Sequence, residues 1–325
     1  MAAANGQGTP SRPLGGAAVV GARTGSVFAE PAAFRDEPAQ MRSGAVGKNG
    51  FLRLGFERRG ACTVLAELDR RIPCLVQRAL YPEAALPDFA WVFMITTTGC
   101  VLQGDRLTLK LQLGPGARAH VTTQAATKIH SMDANYAAQT QAIRLEDGAY
   151  LEFLPEPLIP HRGARFLSET TIELSETATL LYGEILLPGR KHHRPDECFG
   201  AALLQLAMTA TRPDGRLLFT ERLLLEPARR SLRQTGVMGD FDVLGNAVVL
   251  TPPDVAERIE ARTEAAVDLA DGVACGACRL PNDAGLIFKV LGREAAQVRA
   301  AMRRFWAIVR AEATGAPLSA PFFWR

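Results

Sequence analysis

Apolar and polar residues alternate along much of the chain after Phe51. Leu52, Leu54 and Phe56 are separated by polar or small residues, and Val64, Ala66 and Leu68 repeat the pattern. A period of two is the signature of a strand with one buried face. It is clearest in Leu107-Thr-Leu-Lys-Leu-Gln-Leu113, where four leucines share one side. Pro115-Gly116 then turns the chain, and Ala119 and Val121 resume a strand. Two later segments echo this unit. Ile143 and Leu145 lead through Glu146 to Ala149 into Leu151 and Phe153. Ile172 and Leu174 lead through Ser175 to Ala178 into Leu180 to Ile185. The turns at Gly116-Ala117, Gly148-Ala149 and Thr177-Ala178 are spaced by 32 and 29 residues. A unit whose apolar face cannot be buried alone must stack on its neighbours. The pattern predicts a mainly β fold of stacked, β-helix-like (solenoid) layers. A β-sandwich of ordinary hairpins is the alternative it leaves open.

A further hairpin is expected where Leu204, Leu206 and Met208 meet the turn Arg212 to Gly215 and return through Leu217 and Phe219. Two helices are expected in the C-terminal third. Pro252-Pro253-Asp254 opens one running to about Ala270, with Val255, Ile259 and Val267 in phase. The second begins near Arg293, with Val298, Met302, Phe305 and Val309 as its apolar stripe and Arg299, Arg303, Arg304 and Arg310 around it. Gly315 and Pro317 stop it.

Residues 1–48 read differently. They are rich in Ala, Gly and Pro and show no apolar period, so they predict a disordered extension ahead of one β-rich domain over 49–325. The whole chain of 325 residues is 47% hydrophobic and 22% charged, as expected of a globular protein. A net charge of +3 lacks the basic surplus of a dedicated nucleic-acid binder. No apolar run approaches the roughly 20 residues that span a bilayer. Six cysteines are too sparse for a disulfide framework, which makes a reducing, cytoplasmic setting the expectation.

Signatures of catalysis are missing. There is no P-loop, no dinucleotide-binding Gly motif after a strand, no H-E-x-x-H and no G-x-S-x-G. Cys275-Gly-Ala-Cys278 lacks the second ligand pair of a structural zinc and the βαβ context of a redox couple. His192 and His193, with Asp196, Glu197 and Cys198 close behind, form a metal-capable cluster, but Pro195 and the charges read better as an exposed loop. His120, His130 and His161 are scattered and read as strand or loop residues. Polar residues in apolar surroundings say more. Thr122, Thr123 and Gln124 end a strand shortly before Lys128, Asp105 follows a glycine at the start of the leucine strand, and Glu184 interrupts the run Tyr182 to Leu187. A carboxylate in such a run is costly to bury unless paired or wet.

The same segments resemble the UreD (UreH) family of urease accessory proteins. The resemblance rests on Arg58-Arg-Gly60, Pro73 to Arg78, Tyr81-Pro-Glu83, Gly99 to Asp105, Gly114 to Ala117 and Thr122 to Lys128. It continues through Leu154 to Pro157, Glu169-Thr170, Gly183-Glu184 to Gly189-Arg190, Arg279 to Asn282 and the basic C-terminal helix. Cys100 stands where the family usually has a second glycine, and Cys278 where a serine is common. The resemblance implies a non-enzymatic maturation factor that binds apo-urease with UreF and the GTPase UreG and assists nickel insertion. It also implies stacked β-helical layers with an internal polar channel. Asp105 and Glu184 are then the expected channel carboxylates, with Thr123, Gln124 and Lys128 lining or bracing them. Glu169 and Arg190 are channel or partner candidates. No tightly bound cofactor is expected, only transient nickel, for which His192, His193 and Cys198 are weak ligand candidates. A passive scaffold that holds urease without conducting metal is the alternative. A carbohydrate-active enzyme on a β-solenoid is a remote one, since aromatic residues are only 7% and no paired carboxylates stand out.

Overall fold

The computed structural model describes residues 47–320. The expected extension therefore lies outside the described residues, apart from Gly47 and Lys48.

Three successive coils build the centre of the molecule. The first is β5 (Arg106–Leu113), β6 (Arg118–Thr123) and β7 (Thr127–Ile129). The second is β8 (Ala137–Leu145), β9 (Tyr150–Phe153) and β10 (Leu158–Pro160). The third is β11 (Arg165–Leu174) and β12 (Thr179–Leu186). Equivalent strands lie side by side and parallel, so each coil adds one rung to each face. Arg118 sits beside Tyr150, and Tyr150 beside Thr179, which are the sequence spacings of 32 and 29. At the turns, Tyr150 N–H donates to Ala117 O and Thr179 N–H to Ala149 O, both at 2.9 Å. Ala117, Ala149 and Ala178 are buried at these turns.

Side chains inside the coils form ladders. Leu113, Leu145 and Leu174 make one rung set, and Leu111, Ile143 and Ile172 the next. Ala119, Leu151 and Leu180 face them from the second sheet, with Val121, Phe153 and Tyr182 beyond. These residues belong to one buried apolar cluster.

The remaining strands extend the two faces. β1 (Asn49–Arg59), β2 (Cys62–Arg71), β13 (Leu203–Thr211) and β14 (Leu217–Leu225) complete a seven-stranded sheet, ordered β14-β13-β11-β8-β5-β1-β2. The expected hairpin over residues 204–219 is β13 and β14. On the other face, β3 (Cys74–Leu75) and β4 (Ala90–Thr96) flank β6. Beyond β12 run β15 (Val243–Leu250), β18 (Gly285–Gly292), β17 (Val273–Arg279) and β16 (Ala266–Asp268), all antiparallel. The fold is mainly β with stacked sheets and two helices in the C-terminal third, as the pattern predicts. None of the described helices is long and apolar enough to cross a membrane.

The helices differ in detail from expectation. α1 (Pro253–Ala261) ends early, where Thr263 Oγ1 donates to Ile259 O at 2.7 Å. The following residues pair instead as the edge strand β16, leaving Val267 74% exposed rather than on a helix stripe. α2 (Ala295–Thr314) has a reciprocal cap between Glu294 and Gln297, and Gly315 closes it at φ 72°. Its apolar stripe lies on the second sheet. Gly245 allows this close approach, since a Cβ there would be 2.8 Å from Val298 Cγ1.

Arg310 corrects the expectation of an arginine on the polar surround of that stripe. It is fully buried. Its Nε and Nη2 donate to Glu152 at 2.7 and 2.6 Å, and its Nη1 to Glu83 at 2.6 Å. Glu152 also accepts from Tyr150 Oη at 2.7 Å and from His120 Nδ1 at 2.8 Å. The His120 ring lies between Trp91 (centroids 3.9 Å apart) and Trp306 (5.2 Å). Burial pushes the Glu152 carboxyl up, but the hydrogen bonds from Arg310 and His120 outweigh it and hold the group at about 2. Arg310→Met leaves Glu152 and Glu83 buried without their cation. It is expected to destabilise the fold by about 3–5 kcal/mol, read by urea unfolding at pH 7.

Candidate functional site

The coil interior changes character along its strands. Beyond the apolar ladders, Leu109 is followed on the next rungs by Gln141 and Thr170, and Leu107 by Gln139 and Ser168. Gln141, Ser168 and Thr170 are buried. Gln141 Nε2 shares its two hydrogens among Thr170 Oγ1 at 3.1 Å, Tyr182 Oη at 3.3 Å and Ser168 Oγ at 3.4 Å. Tyr182 Oη donates in turn to Glu184 Oε1 at 2.7 Å. The interior thus holds a polar seam that ends in a carboxylate.

Glu184 stands where two cavities share a wall. One, of about 110 Å³, lies between the sheets and is lined by Leu109, Thr123, Thr127, Gln141, Ser168 and Tyr182 among others. The other, of about 40 Å³, is lined by Thr170, Glu221, Asn246 and Lys289. Both have room for water. Around the smaller one, Asn246 Nδ2 donates to Glu221 Oε2 at 3.0 Å, and Lys289 pairs with Glu221 Oε1. Gln141 Oε1 and Asn246 Oδ1 are buried acceptors with no hydrogen bond to any described residue.

Two surface clefts adjoin the pair. An apolar cleft of about 490 Å³ shares Leu186, Leu223, Leu244 and Lys289 with the smaller cavity. A groove of about 260 Å³ beneath α2 shares Pro155, Glu156 and Ile185 with the larger one. Shared walls therefore run from the cleft beside β17, past Glu221 and Glu184, to the groove under α2.

Electrostatics single out Glu184. Burial pushes its carboxyl up to about 7; the Tyr182 hydroxyl opposes this, Glu221 reinforces it and Lys289 opposes it. Burial, and then the Glu184 charge, hold the Tyr182 phenol well above its usual range.

The other sequence candidates sit elsewhere. Asp105 is buried, and its two oxygens accept from the Lys48 and Leu102 backbone N–H groups at 2.8 and 2.9 Å. It braces the turn into β5 and lines none of these four spaces. Thr123 lines the larger cavity, accepting from Glu156 N–H at 2.9 Å. Gln124 and Lys128 are exposed, and Glu169 lies on the outer side of β11, its carboxyl raised by burial. Arg190 pairs with buried Glu197, whose carboxyl that arginine holds at about 2.

His192 and His193 are exposed. Burial and the Asp242 charge raise the Cys198 thiol, which accepts from Arg233 Nη2 at 3.5 Å. Among the described residues, no three His, Cys, Asp or Glu side chains form a metal-holding group. Cys275 and Cys278 are three apart on a strand, so they face opposite sides of β17 and cannot chelate one ion.

The seam residues overlooked in the sequence are Gln141, Tyr182, Glu221, Asn246 and Lys289. A signal for one existed, because the spacing of 32 places Gln141 beside Leu109.

Glu184 generates a pH signature. Its folded pKa is raised, so the neutral acid costs nothing below about 4.5, and stability falls as pH rises from there to about 7. Glu184→Gln, which mimics the neutral form, is expected to exceed wild type in stability by about 2–3 kcal/mol at pH 8. The difference should vanish below about pH 4 in urea unfolding, because both side chains are then neutral in the folded and unfolded states.

Residues 48–325 match the family described as UreD urease accessory protein. The "Urease accessory protein UreD" of Photorhabdus laumondii is 54% identical over 296 residues, covering 91% of this chain and 92% of that protein. The protein of the same name in Yersinia pseudotuberculosis is 51% identical with the same coverage. "Urease accessory protein UreD 2" of Brucella suis is 48% identical over 295 residues, covering 91% of this chain and 98% of its own. On this match across the whole β-rich domain, the chain belongs to the UreD family of urease accessory proteins.

Proposed function

We propose that the protein is a non-enzymatic maturation factor. It binds apo-urease together with UreF and the GTPase UreG, and it assists nickel insertion in the cytoplasm. In this reading nickel is cargo and follows the interior seam. The observation that carries the proposal is Glu184, which lines both cavities at the point where they meet.

The donor chemistry suits passage. Glu184, Glu221, Gln141, Asn246 and Thr123 offer oxygen ligands, which hold a divalent ion of this kind more loosely than a cage of thiolates and imidazoles. Gln141 Oε1 and Asn246 Oδ1 can accept from an ion's water shell. The Lys289 cation beside Glu221 balances the carboxylates when no ion is present. Asp105 acts one step away, by holding the turn that starts β5.

A passive scaffold is the second reading, and one feature favours it. Glu184 is tied to Tyr182, Glu221 is tied to Lys289, and the smaller cavity between these carboxylates holds only about 40 Å³. In that case the outward-facing arginines of α2, Arg299 and Arg304, and the loop around His192 carry the partner contacts.

Co-expression with the urease operon separates the two. Glu184→Ala and Glu221→Ala are expected to leave co-purification with urease intact while lowering its nickel content several-fold, read by atomic absorption. Full nickel content in both variants would remove the conduit and leave the scaffold.

A further inference from the structure

The third face of the coil carries two histidines side by side. β7 and β10 run parallel, with Ile129 beside Pro160, and His161 N–H donates to Ile129 O at 2.9 Å. The next rung places His130 against His161, and their ring centroids are 5.6 Å apart at 56°. The backbone fixes both. His130 N–H donates to Val101 O at 2.9 Å, Ala164 N–H to His161 O at 3.0 Å, and Ser131 Oγ to Arg162 O at 2.7 Å.

The hydrogen bonding selects a ligating form. His130 Nδ1 lies 3.0 Å from Ser131 O. A carbonyl only accepts, so the proton sits on Nδ1 and the lone pair is left on Nε2. A histidine held in this way by a backbone carbonyl is oriented as metal-binding histidines are. The His161 ring makes no hydrogen bond to any described residue. Nearby Arg190 is paired with Glu197, which limits the repulsion an arriving cation would meet. His130 is exposed, so an ion can arrive from solvent.

We infer that His130 and His161 form a two-histidine surface site for a borderline divalent metal ion, such as nickel, copper or zinc. Imidazole nitrogens suit these ions and bind at about 2.0–2.1 Å. No third His, Cys, Asp or Glu completes a set among the described residues, so water fills the remaining positions and the ion exchanges readily. The site is separate from the Glu184 seam and does not depend on nickel passing through it.

The test uses the untagged full chain. With one equivalent of Cu²⁺ at pH 7.5, the electron paramagnetic resonance spectrum is expected to show splitting from two imidazole nitrogens. His130→Ala, at an exposed position that leaves folding intact, should reduce this to one nitrogen or none. It should also weaken Ni²⁺ binding in equilibrium dialysis at least about tenfold. His161→Ala should do the same, while Glu184→Gln and the double variant His192→Ala/His193→Ala should keep the two-nitrogen signal. An unchanged spectrum and unchanged Ni²⁺ binding in His130→Ala would overturn the assignment. So would loss of the signal in His192→Ala/His193→Ala alone.

Discussion

The buried guanidinium of Arg310 is the constraint on which the rest of the structure depends. It joins three distant parts of the chain, because Glu152 lies on β9, Glu83 in the loop preceding β4, and Arg310 near the end of α2. Ser319 Oγ adds a fourth by donating to Glu83. A buried ion pair is seldom a net source of stability, since desolvation offsets the Coulomb gain. What this one supplies is position. A helix held only by Val298, Phe305 and Val309 could slide or roll on an apolar sheet. Two carboxylates and a guanidinium that must all be satisfied leave one phase and one height. The stacked rings of Trp91, His120 and Trp306 close the space around the pair and exclude water from it.

That position reaches the seam through packing. With α2 in place, Met302 lies against Gly183, where a Cβ would sit 3.4 Å from Met302 Cε. Gly183 separates Tyr182 from Glu184 on β12, so the cover provided by the helix bears on the strand that carries both seam residues. The same helix forms one wall of the groove that borders the larger cavity. The charge cluster and the seam thus occupy opposite sides of one sheet, the first closed around its ion pairs, the second bordering two cavities and only partly hydrogen-bonded.

Much of the fold was legible in the sequence, because a parallel coil writes its register into the spacing of its turns. The interval of 32 between Gly116 and Gly148 is the interval between His120 and Glu152, and between Leu109 and Gln141. Read as a register, that spacing alone pairs these residues. Arg310 was not legible in this way. Nothing local distinguishes it from Arg303 or Arg304, and only the tertiary position of Glu152 and Glu83 makes its burial tolerable. The end of α1 was hidden for a related reason. Val267 fits the helical phase, but pairing with Ala274 in the hairpin of β16 and β17 prevails over local propensity.

The interior gradient explains how the fold tolerates a polar site. Near the turns, the rungs Leu113-Leu145-Leu174 and Ala119-Leu151-Leu180 are wholly apolar and belong to the main core cluster. Away from the turns, polarity enters rung by rung, first at Gln141 and Thr170, then at Ser168 and Glu184. Parallel coils stabilise one another mostly through like residues stacked on like, so a polar rung costs its own burial and little of its neighbours'. The apolar end can therefore hold the stack together while the other end keeps a carboxylate with a pKa of about 7. Moving that carboxylate two rungs nearer the turns, to the position of Leu180 beside Leu151, would place it in the main apolar cluster, away from both cavities. The location of the seam thus follows the cavities: it lies at the end of the coil where space with room for water remains between the sheets.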